Sequence, residues 1–189
     1  MGANVYSLLK VFVIPSAVST VSANTTSSTT ASSTASTSTG KVTKTDTTYK
    51  DDNMDIKITT GKTSDTTYYV ADIQLSSADY LKTALAQNTY GTNITDTTSS
   101  IAQQNNAIFA INGDYYGANQ SGYVIKNGQV YRDTDRNSDY EDLAVYSDGS
   151  FKTFKESDTT AQKLVDSGVV NTFAFGPTLV ENGKVAVSE

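Results

Sequence analysis

The apolar run Ala107-Ile108-Phe109-Ala110-Ile111 breaks abruptly into Asn112-Gly113-Asp114, with Tyr115 and Tyr116 behind it. A buried strand that stops this way leaves an amide and a carboxylate at the rim of a core, separated by a glycine that lets another group approach the backbone. Such a pair can orient an oxygen-rich ligand and move a proton. Asn-Gly is also common in turns that do nothing but end a strand, so a plain turn reading stands beside the chemical one. The 189-residue chain has no histidine and no cysteine, which removes the Ser-His-Asp triad, histidine-ligated zinc, thiolate nucleophiles and disulfides. Chemistry is left to carboxylates, tyrosines, Lys or Arg, backbone amides or a hard cation. A net charge of -6 argues against nucleic acid as a partner, because phosphate backbones demand a basic face.

The elements that must hold these residues read as α+β, a mainly antiparallel multi-stranded sheet with two or three helices. Met54 to Thr60 and Thr67 to Leu75 have strand composition, the first alternating and the second rich in Tyr, Val and Ile. Ser76 or Ser77 can cap a helix running through Asn88, with Tyr80, Leu81, Ala84 and Leu85 as its apolar stripe. A second helix is expected from about Thr97 to Asn106, and the run Ala107 to Ile111 suits a strand buried on both faces. Asn127-Gly128, Asp148-Gly149 and Asn182-Gly183 each lie between strand-like runs and signal hairpins, since both central residues of a type I′ turn need positive φ. They pair Tyr123–Ile125 with Gln129–Tyr131, Leu143–Tyr146 with Ser150–Phe154, and Thr178–Val180 with Lys184–Val187. Ser157 or Asp158 opens a short helix that Gly168 closes.

The chain before this region is different in kind. Residues 24 to 39 are all Asn, Ser, Thr or Ala, a composition with nothing to bury against the entropy of ordering it. Residues 24–48 therefore read as a flexible linker. Val5 to Val21 is mostly apolar, but Lys10 and Pro15 interrupt it, and it falls short of the roughly 20 apolar residues of a spanning helix. Val21-Ser22-Ala23 can supply a signal-peptide exit, although the basic start is missing. Residues 1–23 are expected to be an export signal or membrane-anchor remnant, with a meaningless apolar tail as the alternative. An apolar start followed by a Ser/Thr tether suits an extracellular or cell-surface protein.

Four motifs occur in order: Ala-Ile-Asn-Gly-Asp-Tyr-Tyr-Gly at 110–117, Gly-Tyr-Val-Ile-Lys-Asn-Gly at 122–128, Tyr131-Arg132, and Phe-Gly-Pro-Thr-Leu-Val-Glu-Asn-Gly at 175–183. Together they resemble the phosphodiester glycosidase family, which includes N-acetylglucosamine-1-phosphodiester alpha-N-acetylglucosaminidase and bacterial exopolysaccharide-biosynthesis-type envelope proteins. The resemblance covers about residues 50 to 189. Family members continue into Asn-Pro-Arg-Thr and Leu-Asp-Gly-Gly-Gly-Ser segments that do not occur here, so the expectation is a partial domain over residues 49–189, roughly its first half.

The resemblance implies hydrolysis of sugar-1-phosphate diesters at the anomeric carbon, on envelope or extracellular glycans. The leaving phosphate oxygen is far more stable as an anion than an alkoxide, so the demand for a strong general acid is small. On this reading Asp114 is the acid/base or substrate-orienting carboxylate and Asn112 holds a sugar hydroxyl or phosphate oxygen. Gly113, Tyr115, Tyr116 and Lys126 line the substrate, and Gly176 and Pro177 shape a second wall. Arg132 and Arg136 are the chain's arginines, and Arg grips phosphate bidentately. Arg132, which ends a strand, is the favoured phosphate ligand. Both also lie among Asp133, Asp135, Asp139, Glu141 and Asp142 and have a reading as paired surface charges.

No cofactor is expected. The alternation Asp133, Asp135, Asn137, Asp139, Glu141 copies the start of an EF-hand, but Ser138 stands where its glycine belongs and Ala144 where its last glutamate belongs. It reads as a solvated acidic loop, with a calcium site of another geometry as the alternative. A non-catalytic envelope module that binds glycan or assists polymer assembly is the alternative to the enzyme.

Overall fold

A computed structural model describes residues 9–13, 41–136, 139–174 and 177–187. They belong to two compact units, one within Pro15–Ser76 and one formed by Met1–Ile14 together with Ser77–Glu189. Every strand pairing among the described residues is antiparallel.

The smaller unit is a four-stranded meander. Leu9–Val13, in the other unit, is β1, so the meander comprises β2 (Thr43–Lys44), β3 (Thr48–Lys50), β4 (Met54–Lys62) and β5 (Thr67–Leu75), in the order β2-β3-β4-β5. The alternation of β4 buries Met54 and Ile56, and Tyr49 pairs with Ile56 in register and is buried as well. Asp51 closes the β3–β4 turn by accepting the Asn53 and Met54 N–H groups at 2.8 and 2.7 Å. At the far end the Tyr68 ring lies over Gly61, where a Cβ would stand 2.1 Å from it, so a larger residue there would displace the exposed ring. This sheet corrects the linker boundary. Thr43–Lys50 forms a hairpin whose Tyr49 joins the apolar face of β4, so the linker read to residue 48 ends before Thr43; residues 24–40 lie outside the described residues.

The larger unit holds the rest. β6 (Leu81–Leu85), β1 and β7 (Phe109–Asn112) form one sheet with β1 in the middle. Two expectations change here. Ser77 does cap a turn, accepting the Asp79 N–H, but the turn is a single 3-10 segment, Ala78–Tyr80, and residues 81–85 are a strand rather than helix. The supposed helical stripe gives way because β1, from the opposite end of the sequence, supplies a ladder from Leu9↔Leu85 to Val13↔Leu81. β7 is an edge strand, covered on one face only. Ile101 of helix α1 (Thr98–Gln104, capped by Thr97 and lying within the helix expected from about Thr97 to Asn106) packs with Ala84 and Ala110, while Ile111 on the other face is 52% exposed. The two-sided burial expected for residues 107–111 does not occur. Among the described residues no helix is long and apolar enough to cross a membrane.

A second sheet has the order β11-β10-β12, from β10 (Glu141–Tyr146), β11 (Phe151–Lys155) and β12 (Val169–Phe173). The hairpin of β8 (Val124–Lys126) and β9 (Gln129–Arg132) docks on β12 largely through side chains. Ile125 N–H donates to Thr172 Oγ1 at 3.0 Å, Asn127 N–H to Asn171 Oδ1 at 2.9 Å, and Gly128 N–H to the Val170 carbonyl at 2.8 Å. Helix α2 (Ala161–Asp166) covers this layer, and Tyr123, Ile125, Ala144, Ala161, Leu164 and Val169 form the core. Its cap is Thr160, which accepts the Lys163 N–H, because Glu156–Asp158, where the helix start was expected, forms a separate 3-10 turn. A small hairpin of β13 (Val180–Glu181) and β14 (Lys184–Val185) ends the described chain.

Asn127-Gly128 and Asn182-Gly183 have positive φ at both positions, as type I′ turns require. Asp148-Gly149 does not: Gly149 alone is left-handed, at φ 85, while the Asp148 carboxylate takes the Ser150 N–H at 2.9 Å.

Candidate functional site

The end of β7 and the end of β8 bring Asp114 and Lys126 together. Both side chains are 2% exposed, and Lys126 Nζ lies 3.6 Å from Asp114 Oδ1, an ion pair too long to be a hydrogen bond. Asp114 Oδ2 accepts the Ala174 N–H at 3.0 Å, just past the end of β12. Oδ1 is buried and has no hydrogen-bond donor among the described residues. Lys126 in turn donates to the Thr172 carbonyl and sits 4.2 Å above the centre of the Phe173 ring. Burial pulls the Lys126 ammonium down to about 8, against the opposing pull of Asp114, so it changes charge close to neutral pH.

The flanking residues divide by exposure. Asn112 is exposed, and its side-chain oxygen accepts the Thr98 hydroxyl at 2.8 Å. Gly113 is half-buried, Tyr115 is 46% exposed, and Tyr116 is buried. Tyr116 stacks on Tyr90 at 5.4 Å between ring centres, and Tyr131 packs tilted against Tyr90 at 5.1 Å. Burial, reinforced by Asp114, raises the Tyr116 phenol to about 12, which makes it a neutral hydrogen-bonding wall at physiological pH. Tyr115 is exposed and Tyr116 buried, although the strand itself stops at Asn112.

Arg132 is differently employed from the phosphate ligand expected. Its Nε–H donates to the Gly122 carbonyl at 2.6 Å, and Nη1 donates to Asn119 at 2.6 Å and Tyr116 at 3.1 Å. The guanidinium braces the loop behind Asp114, and only Nη2 carries no bond among the described residues. Arg136 is not a surface pair. It meets the buried carboxylates of Asp142, through a close Nη2 contact, and Glu156, at 3.6 Å from Nε, while its own N–H donates to Glu156 Oε2 at 2.6 Å. Pro177 is exposed, and Gly176 lies outside the described residues. Among the described residues no group of three or more carboxylates is arranged to hold a metal.

Sequence reasoning named Asp114 and Lys126 without recognising them as a pair. It did not name Thr172, Phe173, Tyr90 or Glu156, and it gave Tyr131 only as part of a strand and a motif. A signal for Lys126 existed: a lysine that ends the apolar run Tyr123-Val124-Ile125 is poorly placed for solvent unless a carboxylate waits inside. Glu156 gave none, because its hydrogen-bond donors are the backbone N–H groups of Tyr123 and Arg136, and its charged partner, the Arg136 guanidinium, is far away in sequence.

Asp114 of the buried lysine–carboxylate pair lies close in the chain to an exposed amide and tyrosine and to Tyr116 of the stacked Tyr90 and Tyr116 rings, which together make a polar candidate site. Residues 105–189 match the family model described as phosphodiester glycosidase. The chain is also similar to a Bacillus subtilis (strain 168) protein named SPbeta prophage-derived uncharacterized protein YomE, with 31% identity over 99 residues. That match covers 50% of this chain but 15% of the relative, so the chain spans a small part of the relative's length. No solved structure matches the chain.

Proposed function

We propose that this chain contributes the Asn112–Tyr116 and Lys126 part of a site that hydrolyses sugar-1-phosphodiester linkages of envelope or extracellular glycans. The observation behind the proposal is the buried Asp114 oxygen that has no hydrogen-bond donor among the described residues and lies 3.6 Å from Lys126. A polar atom left in that state has a cost unless a ligand, water or proton uses it. Asp114 orients the attacking water or accepts its proton. The water oxygen bonds to the anomeric carbon as the bond from that carbon to the phosphate oxygen breaks, and the phosphate monoester departs with the electron pair. Lys126, with its proton held weakly, supports the negative charge that gathers beside Asp114. Exposed Asn112 and Tyr115 contact the sugar.

Burial favours a second reading. Asp114 and Lys126 are so little exposed that a site which binds glycan without cleaving it also accounts for exposed Asn112 and Tyr115. The deciding assay measures free reducing sugar and phosphate monoester released from an alkyl N-acetylglucosamine-1-phosphodiester. It is run on the chain joined to the family's Arg-Thr and Asp-Gly-Gly-Gly-Ser segments. Asp114→Asn is expected to lower kcat at least 100-fold, the scale of a lost general base, with an unchanged far-ultraviolet spectrum. Full activity in this variant would remove Asp114 from the mechanism. Glycoside binding without product in the unaltered protein would establish the second reading.

A further inference from the structure

Within the larger unit, a recess of about 90 Å³ opens where the Ala78–Tyr80 turn, the start of β6 and the β8–β9 and β10–β11 turns meet β12. Its polar lining comes from Asp79, Lys82, Asn127, Ser147 and Asn171. Asn171 is 2% exposed, and its orientation is fixed. The side-chain oxygen accepts both the Thr83 hydroxyl at 2.9 Å and the Asn127 N–H at 2.9 Å, so the amide nitrogen must face the other way. That nitrogen donates to no described group. Nor is it sealed in, because the buried, unpartnered side-chain atoms among the described residues are Asp114 Oδ1, Arg136 Nε and Asp142 Oδ2. It therefore opens on the recess. Lys82, half-buried on β6, has no carboxylate partner among the described residues, and the exposed Asp79 carboxylate takes a hydroxyl bond from Ser77 at 3.3 Å.

We infer that this recess binds the edge of a neutral pyranose, a second glycan contact separate from Asp114. Charge selects the ligand. Lys82 and Asp79 cancel in the lining, so a free anion gains little there, and the chain's net charge of -6 opposes it further. A vicinal pair of hydroxyls suits the lining, accepting from the Lys82 ammonium and the Asn171 amide while donating to Asp79. The volume admits one edge of a sugar ring rather than a whole disaccharide. Asn127 couples the recess to the sheet. Its side-chain oxygen accepts the Thr83 N–H at 3.3 Å and its side-chain nitrogen donates to the Thr83 carbonyl at 2.8 Å, which keeps Asn171 rigid before ligand arrives.

The physiological ligand named here rests on the glycan reading above, and the test separates the two. The full chain is titrated with methyl α-glucopyranoside, and in parallel with inorganic phosphate, while the amide signals of Gly128, Ser147 and Asn171 are followed by nuclear magnetic resonance. Saturable shifts with the glycoside are expected, with Kd raised at least tenfold in Lys82→Met and in Asp79→Asn and unchanged in Asp114→Asn. Asp79→Asn alters only an exposed side chain and so carries the test if Lys82→Met disturbs β6. Absence of saturation, equal binding in both recess variants, or saturation by phosphate in place of glycoside would overturn the inference. If Asp114→Asn keeps full hydrolysis while the recess variants lose glycoside, the reading of Asp114 fails and the recess stands.

Discussion

Replacing Asp142 by asparagine should make the protein more stable at pH 8 and change it little near pH 4. Asp142 and Glu156 are buried carboxyl groups that face a single arginine, Arg136. Asp142 Oδ2 has no donor among the described residues. Burial above all, and then the neighbouring Glu156, pushes the Asp142 carboxyl up from 3.8 to about 7, and Arg136 only partly opposes them. A carboxyl whose pKa is higher in the folded chain than in the unfolded one binds its proton more tightly when folded. Its unfavourable contribution is thus absent below the unfolded value near 4, grows as pH rises, and is complete above 7. Three pKa units correspond to at most about 4 kcal/mol, of which about 2.5 kcal/mol develops between pH 5 and 8. Asparagine keeps an oxygen for Arg136, supplies an N–H to Glu156 and does not titrate. Urea unfolding of both proteins at pH 5 and pH 8 measures the difference of differences, expected at about 1 to 3 kcal/mol in favour of the variant at the higher pH. Parallel pH slopes for the two proteins would refute the assignment of a shared proton to this pair.

Other perturbations bear on the site. Lys126→Met leaves Asp114 buried and uncompensated and should cost about 3 to 5 kcal/mol, whereas the double variant Lys126→Met/Asp114→Asn should recover a large part of it. A double-mutant cycle by urea unfolding reads the coupling, and additive losses would show that the pair is not coupled. Arg132→Lys loses the three-carbonyl grip on the loop of residues 116–122, because one ammonium cannot reproduce the fork. It should cost about 1 to 3 kcal/mol and speed amide hydrogen exchange in that loop. Unchanged exchange would mean that the loop is held by its own packing.

What was legible in the sequence was local. Asn127-Gly128 and Asn182-Gly183 announced their turns because positive φ at two successive residues is a requirement that few residue pairs meet. Thr67–Leu75 was read with its final boundaries because β-branched and aromatic residues crowd it. Leu81–Leu85 was misread because its spacing satisfies a helix and a strand equally, and the deciding partner, Leu9–Val13, lies beyond any local window. The site divides in the same way. Asn112-Gly113-Asp114 stood out as a break in a strand, but the tie between Asp114 and Lys126 depends on how β7, β8 and β12 converge. Arg132 was assigned to phosphate on residue type, whereas the partners it has within the described residues are backbone carbonyls, which carry no sequence signal.

The buried ionisable groups also join two features that the sequence presented as unrelated. Lys126 is held charged by Asp114 and, more weakly, by Asp142, so the cation of the candidate site senses the Arg136 cluster. Across the two clusters, three carboxyls (Asp114, Asp142 and Glu156) face two cations (Lys126 and Arg136), and one retained proton brings the set to neutrality. Asp142 is the group whose environment favours keeping that proton near pH 7. When it ionises, the added negative charge strengthens the hold of Lys126 on its own proton. The cation beside Asp114 then stays charged to slightly higher pH, so the Asp142–Glu156 pair adds a smaller influence to the burial and the Asp114 charge that govern the Lys126 proton.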